Sequence, residues 1–323
     1  MIAIDIDGTL LGADGRVSAR NHAALLDAER RGLEIVIATG RRHSYAMRVL
    51  RALDLRESGA LISSNGTVIR TVGAQLISRT HMPIETARWL CREIADFRES
   101  FVLTFDKVGE DGEDRRGALV CEGTEFLHTS IGAWMRANEP YIRCVERMEH
   151  ALPASLKADQ GTAIALAVDD PAEGDAELLD APIQAMLCGT VERMAAAEAQ
   201  LTAHGTVAGV GEREFPGCEL ALHRTVYPER DLAILDILPA GCSKASALAD
   251  LAAMRGCTLA EVMAIGDNWN DLPMLEAAGR AVLMSNAPAE LRAMAAERGW
   301  TVGPTNLEDG VAVAIEAVLA GVR

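Results

Sequence analysis

The chain of 323 residues is short of positive charge. It carries 31 lysine and arginine residues against 47 aspartate and glutamate residues, which gives a formal net charge of −16. A protein of this charge has no overall positive field with which to attract nucleic acid or an anionic membrane. We therefore expect neither as a partner. A small anion can still bind where a metal ion, a few cations or backbone N–H groups reverse the potential locally.

The sequence also lacks paired cysteines, an export signal and a membrane-spanning run. Its seven cysteines stand singly, without a CxxC pair, and this pattern argues against a disulfide framework or a zinc knuckle. The N-terminus starts with a short apolar run and then an acid, without the basic and long apolar regions of a signal peptide. No apolar run reaches the length that crosses a bilayer. These absences predict a soluble, cytoplasmic protein.

Short apolar runs alternate with amphipathic stretches at both ends of the chain. This pattern is typical of βα units that build a parallel sheet. The predicted buried strands are Ile2 to Ile4, Leu33 to Ala38, Ala60 to Ile62, Val262 to Ile265 and Ala281 to Met284. The predicted helices between and after them are Ala19 to Arg31, His43 to Leu53, Ser243 to Met254 and Asn306 to Leu319. We predict an α/β fold with a Rossmann-like parallel-sheet core and helices on both faces.

The middle of the chain has a different pattern, and 323 residues exceed the usual size of one domain. A helix is predicted at Ile84 to Phe97, and strand candidates include Phe101 to Phe105 and Ala163 to Val168. The charged stretch Val108 to Arg116 is predicted to be a solvated loop. We expect residues 1–82 and 240–323 to form the core, and residues 83–239 to form an inserted α/β domain.

Polar clusters follow the predicted strands, at the sheet edge where ligands collect in an open parallel sheet. They are Asp5-Ile6-Asp7-Gly8-Thr9, Thr39-Gly40-Arg41, Ser63-Ser64-Asn65-Gly66 and Gly266 to Asp271. Lys244 adds a cation in the first turn of a helix, where the helix dipole disfavours positive charge unless an anion lies beside it. Clusters in this order at the ends of predicted elements indicate one shared site.

The residue types in these clusters suit phosphoryl chemistry. Carboxylates from Asp5 and Asp267, with a backbone carbonyl and waters, are the hard oxygen ligands that Mg²⁺ prefers. With Mg²⁺ and Lys244 offsetting negative charge, Asp5 can attack a phosphoryl group in line. Asp7 can protonate the leaving oxygen and later take a proton from the water that hydrolyses the acyl phosphate. The sequence therefore predicts a Mg²⁺-dependent phosphohydrolase with an aspartyl-phosphate intermediate.

The same motifs give the whole chain a clear resemblance to the haloacid dehalogenase-like superfamily, and within it to the Cof-type phosphatases with a subclass IIB cap. The resemblance implies that the inserted domain is a cap that sets substrate specificity. It also implies a phosphoric monoester hydrolase acting on small phosphorylated metabolites, such as sugar phosphates or phosphorylated cofactors. Two residues depart from the family pattern: Ala245 follows the lysine where glycine is usual, and Trp269 is bulky for its loop.

The resemblance implies a role for each motif residue. Asp5 is expected to be nucleophile and metal ligand, and Asp7 to be the acid/base with its carbonyl on the metal. The other expected phosphate or metal contacts are Thr39, Gly40, Lys244 and Asn270 for phosphate, and Asp267 and Asp271 for the metal. Arg41 and Asn65 are possible substrate contacts.

Structural alternatives accompany several of these roles. Arg41 would serve equally well in a surface ion pair, Asn65 in shaping a turn, and Asp271 as the N-cap of the helix that starts at Leu272. Two other functions also remain open at this point. One is a phosphomutase, which transfers the phosphoryl group to an acceptor other than water. The other is a signalling module in which a long-lived phospho-aspartate controls partner binding.

Overall fold

The computed structural model describes residues 1–125, 127–153 and 181–321. The chain divides into two compact units. Unit 1 consists of Met1–Thr80, Val108–Asp114 and Gly241–Arg323, and unit 2 consists of His81–Lys107 and Arg115–Ala240. The assignment of these regions as catalytic core and specificity cap stays a prediction.

The strands of the described residues are, in chain order, β1 (Ile2–Ile4), β2 (Ile35–Ala38), β3 (Ala60–Ser63), β4 (Val68–Thr71), β5 (Leu76–Arg79), β6 (Phe101–Thr104), β7 (Leu119–Cys121), β8 (Ile142–Cys144), β9 (Gln184–Gly189), β10 (Val207–Ala208), β11 (Leu220–Tyr227), β12 (Leu232–Pro239), β13 (Met263–Gly266), β14 (Arg280–Met284) and β15 (Thr301–Gly303). The α-helices are α1 (Ala19–Arg30), α2 (His43–Leu50), α3 (Ile84–Glu93), α4 (Gly132–Asn138), α5 (Val191–Thr202), α6 (Lys244–Met254), α7 (Leu272–Ala277), α8 (Ala289–Glu297) and α9 (Gly310–Gly321).

Unit 1 is built on one sheet with the strand order β15-β14-β13-β1-β2-β3-β4-β5. The pairs from β15 to β3 are parallel, and β4 and β5 add an antiparallel hairpin at the edge. Parallel neighbours need long crossover connections, which explains the alternation of strands and helices in the sequence. Successive side chains of β1 enter two different cores, because a strand points its residues to alternate faces.

Helices cover both faces of this sheet. Ile2 and Ile4 pack in a core with Leu25 of α1 and Ile315 of α9. Ala3 packs in another core with Leu248 of α6 and residues of α7 and α8. The prediction of a Rossmann-like α/β core with helices on both faces is thus confirmed.

Most predicted elements of unit 1 appear, with shifted ends. Ser18 caps α1 because its side chain accepts a hydrogen bond from the N–H of Asn21. The tail helix predicted over Asn306 to Leu319 was wrong at its start, since Asp309 has a left-handed backbone (φ 59°) and α9 begins after it. A capping box between Thr305 and Glu308 closes a separate short turn before that break.

Unit 2 contains a mainly antiparallel sheet with the strand order β10-β11-β12-β9-β6-β7-β8. Its core packs α3 and α5 against the sheet through residues such as Leu90, Phe101, Leu187 and Met194. The short strands β7 and β8 and helix α4 were not predicted, and the strand candidate at Ala163 to Val168 lies outside the described residues. In the part of the chain that is described, no helix has both the length and the apolar character to cross a membrane.

The segment Val108–Asp114 corrects the sequence analysis in two ways. It was predicted to lie in a solvated loop of the inserted domain, but it groups with unit 1. Asp114 is buried, forms an ion pair with Arg42 and accepts a hydrogen bond from the Ser44 hydroxyl. Asp114 is thus paired with an opposite charge and a hydroxyl donor at the start of α2, whereas Glu110 and Asp111 are exposed as predicted.

Candidate active site

The site is formed where neighbouring strands of the unit 1 sheet end. β1 and β13 are parallel partners, with Ile4 opposite Ile265. Asp5 follows β1 directly, and Asp267 follows the last residue of β13. The register of this strand pair therefore brings the two aspartates together, although they are 262 positions apart in the sequence.

Lys244 bridges two of the site carboxylates. Its Nζ donates to Oδ1 of Asp5 at 2.7 Å and to Oδ1 of Asp271 at 2.6 Å. All three side chains are buried. The anions beside Lys244 explain why a cation is stable in the first turn of α6, as the sequence analysis required.

The start of α6 is fixed from two sides. Ser243 and Ser246 form a capping box, in which the Ser243 hydroxyl accepts from the Ser246 N–H at 3.0 Å and the Ser246 hydroxyl accepts from the Ser243 N–H at 2.8 Å. Gly66 of the SSNG loop packs against the Ser243 carbonyl, where any β-carbon would clash, and it has a φ of 103° that favours glycine. Both contacts hold the residue preceding Lys244 in place.

Asp271 has a different role from the helix cap considered above. Its Oδ2 accepts from the N–H groups of Asp267 at 2.9 Å and Asn268 at 3.1 Å, and its Oδ1 receives the Lys244 bond. It makes no side-chain cap bond to α7. The carboxylate closes the loop after β13 and links that loop to the lysine.

Asp267 is oriented by the DxDGT loop and by an asparagine that the sequence analysis missed. Its Oδ1 accepts from the Thr9 hydroxyl at 3.0 Å, and its Oδ2 accepts from Nδ2 of Asn286 at 3.3 Å. Asn286 also donates to the carbonyl of Gly8 at 2.9 Å. Asn286 follows the end of β14, so the strand-end rule used for the other clusters would have found it.

The site holds more negative charge than Lys244 can balance. Burial raises the pKa of Asp5 well above its ordinary range, and repulsion from Asp271 raises it further. Burial and Asp271 likewise raise the pKa of Asp267 to about 7. Burial opposes the charge of Lys244, but attraction from Asp271 and Asp5 outweighs it and raises the lysine pKa. A bound cation would relieve this repulsion.

The residues present fit a divalent metal ion. Oxygen atoms of Asp5, Asp267 and Asp271 lie within 4.8 Å of one another, and all three residues are buried. Clustered carboxylates with few nitrogen or sulfur donors favour Mg²⁺ over zinc or copper. The excess negative charge and the oxygen donors together fit a bound divalent cation.

The remaining predicted residues lie on neighbouring loops of unit 1. Arg41 pairs with the half-exposed carboxylate of Asp7 through two hydrogen bonds, of 2.7 Å from Nε and 2.6 Å from Nη2. The Thr39 hydroxyl accepts from the Arg41 N–H at 3.1 Å, and the Thr39 carbonyl accepts from the N–H of Asn65. A β-carbon on Gly40 would lie 3.0 Å from Oδ1 of Asn65.

These contacts bring Thr39, Gly40, Asn65, Arg41 and Asp7 together. Asn65 is buried with a φ of 55°, so it shapes the loop after β3 whatever else it does. The ion pair with half-exposed Asp7 agrees with the ion-pair alternative for Arg41, and its contact with substrate stays a prediction. Asn270 is half-buried on the short turn before α7, and its contact with phosphate stays a prediction.

The fold places an acidic, lysine-bridged centre at the carboxyl ends of a parallel sheet. A family model described as haloacid dehalogenase-like hydrolase matches residues 2–110 and 224–315. The match covers more than half of the chain, and the chain belongs to that family. The resemblance to a Cof-type member and the expectation of an enzyme are thereby confirmed. Mg²⁺ is the metal that this superfamily generally uses.

The chain is similar to characterised relatives over most of its length. It is 29% identical over 322 residues to 5-amino-6-(5-phospho-D-ribitylamino)uracil phosphatase YwtE of Bacillus subtilis, covering 99% of this chain and 98% of that protein. It is 26% identical to the HMP-PP phosphatase of Escherichia fergusonii, covering 91% of this chain and 86% of that protein. The solved structure of the subclass IIB sugar phosphatase BT4131 has a similar fold, with a TM-score of 0.67 at 20% identity over 98% of each chain.

Proposed function

We propose that this chain is a Mg²⁺-dependent phosphatase of small phosphorylated metabolites that works through an aspartyl-phosphate on Asp5. The observation that carries this proposal is the buried group formed by Asp5, Lys244, Asp267 and Asp271. Three buried carboxylates lie within 4.8 Å of one another there, and Lys244 bridges two of them. A purely structural role would not explain this cluster, because buried like charges lower the stability of the folded state.

The metal site is assigned to the carboxylates of Asp5, Asp267 and Asp271 and, by the family resemblance, to the carbonyl of Asp7. Bound Mg²⁺ would supply positive charge beside the phosphoryl oxygens and lower the electrostatic barrier to attack by an anion. The chain itself supplies a second positive charge through Lys244, whose two hydrogen bonds hold it between Asp5 and Asp271.

In the first half-reaction an Asp5 carboxylate oxygen attacks phosphorus, and the bond from phosphorus to the leaving oxygen breaks. Lys244 fixes one Asp5 oxygen, which restricts the orientation of the nucleophile and spares the entropic cost of ordering it. The leaving oxygen takes a proton from Asp7. Thr39 and Gly40 are proposed to hold the phosphoryl oxygens through hydroxyl and backbone donors, with Asn270 beside the loop after β13.

In the second half-reaction a water molecule gives a proton to the Asp7 carboxylate and attacks phosphorus. The bond from phosphorus to the Asp5 oxygen breaks, inorganic phosphate leaves, and Asp5 is again a free carboxylate. Asp7 suits both steps because its side chain is half-exposed, whereas Asp5 and Asp271 are buried. One residue thus gives up a proton first and recovers it later.

The substrate class is proposed from the named activities of relatives. One relative is named for a phosphoribityl pyrimidine, another for HMP-PP, and a structure of similar fold for sugar phosphates. These compounds share a phosphoryl group on a small polar metabolite. We propose that unit 2, most of which is the inserted region, selects among such substrates.

A substrate screen with one variant and one control tests the proposal. Phosphate release is measured from sugar phosphates, phosphorylated cofactor precursors and p-nitrophenyl phosphate, with Mg²⁺ or with EDTA. We expect Mg²⁺-dependent release that Asp5→Asn lowers by about 10⁴-fold or more. Asp250→Asn, which changes an exposed aspartate of α6, should retain wild-type activity. Full activity of Asp5→Asn would remove Asp5 from the mechanism, and transfer to a sugar acceptor without phosphate release would indicate a phosphomutase.

A further inference from the structure

Arg41 grips the carboxylate of Asp7 in a two-pronged ion pair. Nε of Arg41 donates to Oδ2 of Asp7 at 2.7 Å, and Nη2 donates to Oδ1 at 2.6 Å. A guanidinium that binds both oxygens fixes the plane of a carboxylate as well as its position. Both torsions of the Asp7 side chain are therefore set by this contact.

The arginine is itself well anchored, unlike the aspartate. The Arg41 side chain is 15% exposed, whereas that of Asp7 is 52% exposed. The Arg41 N–H donates to the Thr39 hydroxyl at 3.1 Å, and the guanidinium carbon lies 4.7 Å from the centre of the Tyr45 ring of α2. Stacking on an aromatic ring restricts a guanidinium to a narrow range of positions. We therefore expect the fixed Arg41 side chain to hold the more exposed Asp7 side chain in place.

An exposed aspartate without such a partner would sample several side-chain rotamers. Proton transfer needs the donor and acceptor within hydrogen-bond reach, so a misplaced carboxylate loses most of its effect as an acid or base. Lysine in place of Arg41 would keep the charge, but an ammonium group cannot grip both oxygens in one plane. Arg41 therefore does more than compensate the charge of Asp7, because its two hydrogen bonds also fix the orientation of the carboxylate.

We propose that Arg41 is the positioning residue of Asp7, holding the carboxylate where it exchanges protons with the leaving oxygen and then with water. This inference rests on the proposed function, because it takes Asp7 as the acid/base. It assigns Arg41 to the proton-transfer apparatus and not to binding of the phosphoryl group or of the rest of the substrate.

The inference predicts that the decrease in rate caused by replacing Arg41 depends on the leaving group of the substrate. An alkyl phosphate expels a strongly basic oxygen that needs a proton, whereas a dinitrophenyl phosphate expels a stable anion that does not. Acid catalysis contributes about 10²–10⁴-fold in rate. We expect Arg41→Gln to lower the single-turnover rate of Asp5 phosphorylation on the order of 10–100-fold for a sugar phosphate, a part of that contribution, and less than about 3-fold for 2,4-dinitrophenyl phosphate.

Two further variants separate geometry from charge. Arg41→Lys should restore less than half of the lost rate for sugar phosphates, since it supplies charge without the planar grip. Arg48→Gln serves as the matched control. The guanidinium carbon of Arg48 also lies near the Tyr45 ring, 5.4 Å from the ring centre. Arg48→Gln should leave both rates unchanged.

Three kinetic outcomes would overturn the inference. An equal loss of the Asp5 phosphorylation rate for both leaving groups would make Arg41 a phosphoryl-binding residue. A rise in KM with unchanged kcat would make it a substrate contact. Faster turnover of sugar phosphates by Arg41→Gln would mean that the arginine holds Asp7 away from the reaction.

Crystal structures of the wild type and of Arg41→Gln test the inference without any activity. We expect one ordered Asp7 conformer in the wild type and several conformers in the variant. The same single conformer in both proteins would refute the positioning role. If the wild type hydrolysed no phosphomonoester, the proposed function would fail, and this structural comparison would still decide whether Arg41 orders Asp7.

Discussion

Unit 1 buries three carboxylates around one lysine, whereas unit 2 places two carboxylates on one arginine. In unit 1, Asp5, Asp271 and Lys244 have side chains at most 5% exposed, and the pKa of Asp5 is raised by burial. In unit 2, Arg98 binds Glu122 and Glu149 at 2.6 Å each, and these three side chains are 18–25% exposed. Hydrogen bonding to Arg98 lowers the pKa of Glu149 to about 2.

The two clusters respond to protons in opposite directions. A raised carboxyl pKa means that the folded state prefers the neutral form, so ionisation destabilises unit 1. A lowered pKa means that the folded state prefers the ionised form, so ionisation stabilises unit 2. Electrostatic strain of the first kind is typical of sites that bind a metal or ligand, and pairing of the second kind is typical of structural networks. The predictions that follow test this contrast.

The largest effect is expected from Lys244→Met, which shortens the side chain by one atom and removes the charge. It leaves the site carboxylates without a cation, and breaking a buried ion pair in this way costs about 3–5 kcal/mol. Urea unfolding at pH 8 in EDTA measures the loss. Added Mg²⁺ should recover part of it, because the metal supplies positive charge at the same place. A loss under about 1 kcal/mol would show that the carboxylates do not depend on the lysine.

A smaller effect is expected from the titration of Asp267 in metal-free protein. Because its folded pKa of about 7 lies above the unfolded value of 3.8, its contribution to stability is present at low pH and is lost as pH rises from about 4 to 7. The loss should be on the order of 2–3 kcal/mol. Asp267→Asn should make this slope shallower, and the raised pKa of Asp5 should leave a part of it. Parallel stability curves for wild type and variant between pH 4 and 8 would contradict the assigned direction.

The smallest effect is expected at Glu149, with the opposite sign. Its folded pKa of about 2 lies below the ordinary value of 4.5, so its contribution is present above about pH 4.5 and is lost as pH falls toward 2. Partial exposure reduces that contribution to the order of 1–2 kcal/mol. Glu149→Gln should lower stability at neutral pH by this amount, measured by urea unfolding. If the variant were as stable as the wild type at pH 7, the ion pairs of Glu149 would contribute nothing to stability.

The two units also differ in how much of their structure could be predicted from the sequence. In unit 1 the parallel strands are continuous apolar runs, and each polar cluster lies directly after one, so β1, β3 and the residues beyond them were predicted from local pattern. The antiparallel sheet of unit 2 contains three-residue strands such as β7 and β8. Runs this short carry too little periodicity to be distinguished from loops.

Long-range pairing explains the rest of the differences. Val108–Asp114 was predicted as solvated because its charges are visible in the sequence, while Arg42 and Ser44, which bury Asp114, lie about 70 residues earlier. The pairing of Arg41 with Asp7 was missed for the same reason. Side-chain partners depend on register and loop geometry, which local pattern does not specify. The shared location of Asp5 and Asp267 was predictable because strand ends specify a place in the fold without any contact being known. Lys244 was predictable because a cation in the first turn of a helix indicates an anion beside it.

The most direct test of the account is to locate the phosphoryl group during turnover. The wild-type enzyme is mixed with Mg²⁺ and a sugar phosphate that it hydrolyses, quenched with acid within one turnover, and digested for mass spectrometry. We predict a phosphoryl group on the Asp5 side chain that forms before phosphate is released, decays at the rate of turnover, and is absent from Asp5→Asn. Phosphate release with no phosphorylated Asp5 at any time point would contradict the account, because water would then attack the substrate directly.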